Sequence, residues 1–431
     1  MTGFFVRFFS RALLLYLLIS GLIIYISSQI HAGELSRHNL FFWLFHYNNY
    51  IKNYIINDEY FTFYLSLYGL ISLYLLYWGG RNFKYLNLPY AMGLYNQARQ
   101  FEGHQKRTKV HFDKFIKKKK YEKNKFSLFF KNWIAVEPKN YNDKKEAIAQ
   151  YLGWDGDIKV YQHKERGIEL FFYKLPTKYK PSIFDVRVNA VVFGKSMNGL
   201  YTVPFAELTH TVVVGESGSG KSNFLHYLLD SFFKNNSQID KVELIDLKGT
   251  ELFGYKNYKN VQFTDNIQEV RNKFSSLKDE MLQRFELMKV NSEQLYSGKY
   301  HFIIIDEVGT IGTYPDKKLR DEIFNLMIEI AQKGRAAKIL LFIFAQKIDS
   351  TNIPSNVLAN LQTRVLMKTD SDFNINNTIG KKEDLENITR LNPDSFPRGR
   401  AIIKNGYTSE KVLVQFPLIE LKKEYCEILA K

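Results

Sequence analysis

Hydrophobic residues follow two patterns along this chain, long uncharged runs near its start and short apolar runs after residue 200. The long runs are residues 12–30 and 60–78, each of nineteen residues without a charge. As helices rising ~1.5 Å per residue, each would extend roughly 28 Å, enough for a hydrocarbon core. The pattern predicts two transmembrane helices, with a signal peptide and a buried core helix as the respective alternatives.

Positive charges flank these two runs unevenly. Arg7 and Arg11 precede the first run, and Arg81 and Lys84 follow the second, whereas residues 31–59 carry no excess of positive charge. Cytoplasmic segments of membrane proteins are enriched in lysine and arginine. We therefore expect a multi-pass protein of the cell (inner or cytoplasmic) membrane with both termini in the cytoplasm.

The apolar pattern after residue 200 alternates strands with helices, which is typical of an α/β fold. It predicts an amphipathic helix over residues 269–289 and buried strands, which are residues 241–247, 301–307, 338–346 and 364–368. Between residues 126 and 200, apolar runs broken by prolines predict a small α+β module. We expect a membrane anchor at residues 1–90, a basic linker with this module at 91–200, and an α/β core with a parallel sheet at 201–431.

Charge and cysteine content add two constraints. The net charge of +16 favours polyanionic partners, either nucleic acid or an anionic membrane surface. Ten of the twenty residues from Lys106 to Lys125 are basic, which fits a patch for lipid or nucleic acid but equally a solvated helix face or the positive-inside bias. The single cysteine, Cys426, excludes a disulfide framework within the chain.

The most specific motif is TVVVGESGSGKS, at residues 211–222. It matches G-x-x-x-x-G-K-[ST] between a strand and a helix, through Gly215, Glu216, Ser217, Gly218, Ser219, Gly220, Lys221 and Ser222. Glycines let successive backbone N–H groups point at phosphate oxygens, and the following helix adds the positive end of its dipole. Lys221 would reach the β- and γ-phosphates and Ser222 would bind Mg²⁺, so the motif predicts ATP with Mg²⁺ as the ligand.

Asp306 and Glu307 follow the strand at residues 301–307, where ligands of parallel sheets bind. Asp306 would hold Mg²⁺ through water, and Glu307 would act as the general base on the attacking water. Gln346, at the end of the next strand, is either a γ-phosphate sensor or an ordinary polar strand end. Arg335 and Arg364 are candidates for an arginine supplied to a neighbouring subunit, and either could be a structural ion-pair partner.

Several blocks between about residues 194 and 380 resemble the FtsK/SpoIIIE-type DNA translocases, including the compact, TcpA-like coupling ATPases of conjugative elements. The blocks are VVVGESGSGKS, LIDLKGTELFGYKN, HFIIIDE and IAQKGRAAKILLFIFAQ, in the order of that family. There are departures, since Lys347 stands where the family usually has Arg-Pro, and Leu247 stands where proline is common.

The resemblance implies a RecA-like ATPase that forms a hexameric ring, threads DNA and hydrolyses ATP at subunit interfaces. It gives Lys221, Ser222, Asp306, Glu307 and Gln346 their family roles. It also suggests Arg364 as the arginine acting in trans, with Arg335 as the second choice. Relaxase and secretion-channel proteins would then be candidate partners.

These observations predict a membrane-anchored, ATP-driven DNA translocase or coupling protein that moves DNA to or through a conjugative channel. The alternatives are an assembly or export ATPase for phage or protein cargo, and an ATP-binding membrane scaffold. DNA contacts should be independent of sequence because no base-reading motif is visible, with Lys317, Lys318 and Arg320 as candidate donors. Whether the DNA is single- or double-stranded stays open.

Overall fold

A computed structural model of the chain divides into two compact units between Leu86 and Asn87. The described residues are 59–102, 105–131, 137–163, 167–181, 187–234, 236–381 and 385–419. The first predicted membrane span, residues 12–30, lies outside them. Each unit is described by itself below.

Helix α1, Glu59–Ala91, contains the second predicted span. Among the helices that the structure describes, none combines the length and the apolar character needed to cross a membrane. The predicted two-span anchor is therefore unsupported, and the predicted location as a multi-pass membrane protein with cytoplasmic termini is wrong. The prediction relied on the absence of charge, but five tyrosines and two serines interrupt residues 60–78. Charged residues also lie at both ends of this run within the helix, Glu59 before it and Arg81 and Lys84 after it.

After the last residues of α1, the second unit continues with antiparallel strands and two short helices. Strands β1 (Tyr95–Glu102) and β2 (Gln105–Phe112) pair with each other. The next elements are β3 (Lys114–Glu122), β4 (Lys125–Lys131), α2 (Pro138–Asn142), α3 (Lys145–Leu152), β5 (Asp157–His163) and β6 (Gly167–Tyr173). Their strands form a four-stranded antiparallel sheet in the order β3-β4-β6-β5. The basic segment 106–125 thus lies on strands, not on the helix that one interpretation required.

One face of this four-stranded sheet forms the core of the module. Leu128, Phe130, Leu170 and Phe172 are fully buried on it, because alternate residues of a strand point to the same face. Tyr141 of α2 packs against Phe130 with ring centroids 6.2 Å apart. The strands predicted between residues 126 and 200 therefore exist, and β3 extends their sheet by one edge strand.

The remaining strands form one ten-stranded sheet. They are β7 (Ala190–Ser196), β8 (Gly199–Pro204), β9 (Thr211–Val214), β10 (Ile239–Asp246), β11 (Val261–Thr264), β12 (Tyr300–Asp306), β13 (Ile339–Ala345), β14 (Thr363–Leu366), β15 (Arg400–Lys404) and β16 (Lys411–Gln415). Their spatial order is β11-β10-β12-β13-β9-β14-β15-β16-β7-β8. The pairs from β11 through β14 are parallel, and those from β14 through β8 are antiparallel.

Helices cover both faces of the parallel part. They are α4 (Lys221–Lys234), α5 (Ile267–Asn291), α6 (Gly309–Gly312), α7 (Lys317–Lys333), α8 (Ser355–Asn360) and α9 (Asp372–Thr378). On one face Phe232 of α4 stacks on Phe302 at 4.1 Å, and on the other Phe274 and Ile323 are fully buried. Strands buried on both faces read as continuous apolar runs, which explains why the sequence revealed β10, β12, β13 and β14.

The predicted α/β fold with a parallel sheet is confirmed in its coarse form, as a mixed sheet whose central part is parallel. Strand β7 precedes the predicted boundary at residue 200, yet it pairs with β16 in the sheet of the core. The three-part division of the chain stays a prediction.

Candidate nucleotide-binding site

The phosphate loop, residues 215–222, joins β9 to α4 at the carboxyl edge of the parallel strands. All four residues of β9 are buried, and the strand lies between β13 and β14. The Gly215 N–H donates to Ala345 O at 3.2 Å, and the Glu216 N–H donates to Lys368 O at 2.9 Å. The first turn of the loop is thus fixed to the ends of both neighbouring strands.

Two glycines of the loop have backbone angles that other residues rarely adopt. Gly218 has φ +78° and Gly220 has φ +104°. A Cβ on Gly220 would also lie 3.0 Å from the nitrogen of Gly399, whose N–H donates to Ser219 O at 2.8 Å. Glycine is therefore required both for the curl of the loop and for the close approach of the segment that leads into β15.

The two side chains predicted to bind nucleotide and metal lie at the start of α4. Lys221 Nζ donates to Gly215 O at 2.5 Å and to Glu216 O at 3.1 Å, so the side chain folds back over its own loop. Burial lowers the pKa of Lys221, while Glu307 and Asp306 act in the opposite direction. Ser222 Oγ donates to Glu251 Oε1 at 2.9 Å.

Glu216 connects the loop to the segment after β14. Its Oε1 accepts hydrogen bonds from Thr369 Oγ1 and from the Asp370 N–H, each at 2.7 Å. Burial acts to raise the pKa of Glu216, but these hydrogen bonds outweigh it and leave the pKa lowered. Glu216 therefore stabilises the loop as a carboxylate. Ser219 Oγ is buried and has no hydrogen-bond partner among the described residues.

Two aspartates end adjacent strands at this edge of the sheet. Asp306 of β12 pairs in register with Asp246 of β10. Asp246 is fully buried and accepts hydrogen bonds from four backbone N–H groups, those of Lys248, Gly249, Glu251 and Leu252. Asp306 is half-buried, and burial raises its pKa to about 6, with the charges of Asp246, Glu251 and Glu307 adding to the effect.

Glu307 and Gln346 lie together at the ends of the neighbouring strands β12 and β13. Glu307 has φ +54°, a left-handed conformation that costs a non-glycine residue on the order of 1 kcal/mol. Its Oε1 accepts from the Gln346 N–H at 3.4 Å, and Asn374 Nδ2 donates to Gln346 O at 3.1 Å. The Gln346 side chain is exposed. The structure thus brings the predicted base and the predicted sensor to the edge that carries the phosphate loop.

The two candidate trans arginines lie elsewhere. Arg364 donates to three backbone carbonyls, those of Leu361 at 3.2 Å, Asn377 at 2.5 Å and Leu358 at 3.1 Å. Arg335 lies between α7 and β13, with its guanidinium 5.2 Å from the Tyr407 ring centroid. The contacts of Arg364 are those of a structural residue, and the trans role of either arginine stays a prediction.

Lys317 and Lys318, candidate DNA contacts, are exposed in the first turn of α7. Arg320, the third candidate, donates to Gly312 O at 3.2 Å and to Tyr314 O at 3.3 Å. It therefore holds the preceding loop in place.

Sequence reasoning missed Glu251, which contacts the predicted metal ligand Ser222. The backbone N–H of Glu251 donates to Asp246, and its Oε2 lies 3.4 Å from His226 Nε2. The signal in the sequence was Asp246 itself, because it ends its strand as Asp306 does. In the part of the chain that the structure describes, no three His, Cys, Asp or Glu side chains are grouped so as to hold a metal ion.

Comparisons with known proteins agree with this geometry. The model of the FtsK/SpoIIIE family matches residues 180–301. The DNA translocase FtsK of Staphylococcus epidermidis (strain ATCC 35984) is 24% identical over 229 residues, which cover 48% of this chain and 27% of the relative. The DNA translocase FtsK of Mycobacterium leprae is 25% identical over 206 residues, which cover 41% of this chain and 24% of the relative. The match thus spans about a quarter of the length of these curated relatives.

Among solved structures, the monomer form of the pCW3 conjugation coupling protein TcpA with ATPgS is similar to this chain. The TM-score is 0.53 at 18% identity, and the similarity covers 74% of this chain and 94% of that chain. At this identity the similarity concerns the fold. Residues 180–301 of this chain are therefore similar to the FtsK/SpoIIIE family, and the fold is similar to that of a conjugation coupling protein.

Proposed function

We propose that this chain is an ATP-driven DNA translocase of the conjugative coupling type. The observation that carries the proposal is the convergence of the phosphate loop with Asp306 and Glu307 at one edge of the sheet. The phosphate loop lies in residues 180–301, which match the model of the FtsK/SpoIIIE family. Relatives of this region are named DNA translocases, which supports DNA as the cargo.

ATP would bind with its phosphates on the loop from Gly215 to Ser222. Lys221 would exchange the carbonyls of Gly215 and Glu216 for phosphate oxygens, which match its positive charge better. Ser222 and Asp306 would hold Mg²⁺, and the carboxylates that raise the pKa of Asp306 make this a fitting place for a hard cation. When bound with the nucleotide, the ion supplies positive charge that offsets the phosphates.

Glu307 would accept the proton of the attacking water. The hydrogen bond from the Gln346 N–H orients one of its oxygens, and its left-handed backbone directs the side chain out of the strand. The exposed amide of Gln346 would then contact the γ-phosphate or the water. Both groups act at adjacent strand ends, so each can respond to the same nucleotide.

We also propose that the chain forms a hexameric ring around DNA, because the resemblance of its motifs to the FtsK/SpoIIIE-type translocases implies ATP hydrolysis at subunit interfaces. An arginine in trans would complete each site, with Arg335 as the proposed residue because Arg364 is held by three carbonyls of its own chain. Lys317 and Lys318 would contact phosphates in the channel, and relaxase and secretion-channel proteins would be the partners in transfer.

The test is ATP hydrolysis by the purified chain with and without DNA. We expect DNA to stimulate hydrolysis, and we expect Glu307→Gln to bind ATP while losing turnover, because only the water-activating group changes. An assembly ATPase for protein or phage cargo would show no response to DNA. A scaffold would retain its cellular function with Glu307→Gln, and either result would contradict the proposal.

A further inference from the structure

The four-stranded sheet has a basic edge that the nucleotide site does not use. Strand β3 is an edge strand, since it pairs only with β4 in this sheet. Between Lys114 and Lys131 the sequence has eight lysines against one glutamate. The four consecutive residues Lys117 to Lys120 are all exposed. Such a charge excess indicates a polyanionic partner.

Aromatic rings lie beneath these lysines. Lys117 Nζ is 5.4 Å from the Phe129 ring centroid, and Lys118 Nζ is 4.3 Å from that of Phe126. Lys119 Nζ is 4.8 Å from the Tyr121 ring. Because the rings fix where the side chains lie, less rotamer entropy is lost when the ammonium groups bind an anion.

The spacing of the lysines suits a nucleic acid backbone. Alternate side chains of a strand lie on one face at intervals of ~6.8 Å, which is twice the rise per residue. Lys117 and Lys119 therefore form a row of positive charge along one face of β3. A basic track of this kind follows the backbone of a bound single strand, which is flexible enough to adapt to the spacing.

A row of aromatic rings crosses the face that carries Lys117 and Lys119. Tyr121 and Tyr161 contact Phe171 edge-on, at centroid distances of 5.9 and 6.5 Å. Tyr121 is 45% exposed and Tyr161 is 38% exposed. Glu169, an acidic residue of this face, is bound by Ser127 at 2.5 Å and by His163 at 2.6 Å. Bases stack on exposed aromatic rings next to a basic track when proteins bind single strands without sequence preference.

Protection of an edge strand against aggregation is another reason for lysines on β3. That role needs charge on the edge strand alone. It makes no use of Tyr161, which lies on β5 at the opposite edge of the same sheet. The exposed tyrosines therefore favour a binding face over lysines that only protect the edge strand.

We propose that this face, defined by Lys117, Lys119, Tyr121 and Tyr161, binds single-stranded DNA. The phosphates lie on the lysines and the bases stack on the two tyrosines. The inference rests on the proposed function, because DNA is the polymer that the chain would move. It adds a contact outside the ten-stranded sheet and specifies the strandedness of the DNA bound there.

The experiment measures binding of the full chain to a labelled oligothymidine of about 30 nucleotides and to a duplex of equal length, across a series of KCl concentrations. Replacing Lys117 and Lys119 by glutamine should weaken binding of the single strand. It should also flatten the salt dependence by about 0.7 in slope for each phosphate that the variant no longer neutralises. The matched control replaces Lys259 and Lys299, two exposed lysines of the second unit outside the four-stranded sheet, by glutamine.

The tyrosines are tested by a second variant. Tyr121→Ala with Tyr161→Ala should lower the affinity for the single strand on the order of tenfold for each stacked base and leave the salt slope unchanged. Tyr121→Phe with Tyr161→Phe should restore the affinity, because phenylalanine also stacks. Binding of the duplex should be little affected by either tyrosine variant.

Three results would overturn the inference. The first is that the lysine control weakens binding of the single strand as much as the lysine variant does. The second is that the double alanine variant binds the single strand with wild-type affinity. The third is that the lysine variant loses binding to phosphatidylserine vesicles but still binds DNA as the wild type does. In each of these, DNA-stimulated ATP hydrolysis by the wild-type chain would leave the proposed function standing. If the wild-type chain neither bound DNA nor responded to it, the proposed function itself would fail.

Discussion

Two aspartates at equivalent strand ends have different environments in this protein. Asp246 is fully buried and saturated by four backbone N–H groups, whereas Asp306 is half-buried next to three other carboxylates. The carboxylate of Asp246 uses its hydrogen-bonding capacity to hold the loop that follows β10. Asp306 remains available to a cation, and the burial and crowding that raise its pKa make a cation favourable there.

The raised pKa of Asp306 predicts a specific pH dependence of stability. In the folded state its pKa is about 6 against an ordinary value of 3.8, so the folded state binds the proton more tightly than the unfolded state. Stability contributed by the protonated group is therefore lost as pH rises from about 4 to above 6, by up to about 2–3 kcal/mol.

Asp306→Asn should remove this loss. Without nucleotide or Mg²⁺, we expect the variant to gain free energy of unfolding relative to wild type at pH 7, and less so at pH 4.5. Urea denaturation at the two pH values measures the difference. A gain of the same size at both pH values would contradict the raised pKa of Asp306. Burial also raises the pKa of Asp113 to about 6, but Asp113 is present in both proteins, so its contribution cancels in the comparison.

Glu251 is predicted to support metal binding through Ser222. Glu251→Gln keeps an oxygen that can accept the Ser222 hydroxyl but removes the negative charge. We expect the Mg²⁺ concentration needed for half-maximal binding of an ATP analogue to rise severalfold, because a hard cation loses a nearby carboxylate. The control is Glu286→Gln, an exposed carboxylate paired with Lys289. Equal Mg²⁺ dependence in both variants would exclude this role.

Among single residues, the sequence predicted the site residues that belong to a recognisable motif. It missed the residues that reach the site only through the tertiary structure. Lys221, Ser222, Asp306 and Glu307 follow from strand ends and glycine spacing. Glu251 reaches Ser222 only because Asp246 organises the intervening loop, which is a tertiary effect without a sequence signature. Arg364 is held by three backbone carbonyls that come from separate turns of the chain. The position of Arg364 in the sequence alone could not reveal these contacts.

At the scale of elements, Arg364 ties α8, β14 and the end of α9 together. Arg364→Ala would leave three carbonyls without their donor, and burial makes that loss costly. We expect a fall of about 2 kcal/mol in the free energy of unfolding, measured by urea denaturation. Arg335→Ala is the matched comparison and should cost less.

Mixing distinguishes the structural role from a role in trans. If Arg364 served a neighbouring subunit, Arg364→Ala would keep its stability, and mixing it with Lys221→Ala would restore part of the ATP hydrolysis. The hydrogen bonds of Arg364 within the chain lead us to expect lowered stability and no recovery.

The strands that the sequence revealed are those buried on both faces. β12 and β13 are continuous apolar runs because helices cover both sides of them. Strand β3 has one buried position in nine, so its lysines conceal the alternation that identifies a strand. Its pairing with β4 and the packing of its lysines on phenylalanines make it a strand, and both are tertiary effects.

At the scale of the whole molecule, the net charge of +16 predicts DNA binding governed by phosphate contacts. Lys317→Gln with Lys318→Gln should flatten the dependence of log affinity on log salt and uncouple hydrolysis from DNA, while basal ATP turnover survives. The control is Lys289→Gln with Lys299→Gln. A competition assay in which one defined sequence is preferred about a hundredfold over random DNA would contradict phosphate-based binding.

The hydrogen bond from Gly399 to Ser219 has a mechanical consequence. It joins the phosphate loop to the segment that enters β15, while Glu216 joins the same loop to the segment after β14. If a bound phosphate displaced the loop, these hydrogen bonds would pull on the end of β14 and on the start of β15 together. Because a hydrogen-bonded sheet is stiff, we expect the strain to pass through β16 and β7 to the hairpin edge at β8. That edge lies five strand spacings from β9, or roughly 24 Å at ~4.8 Å per spacing. The antiparallel half of the sheet would then act as an elastic element that stores part of the work of nucleotide binding.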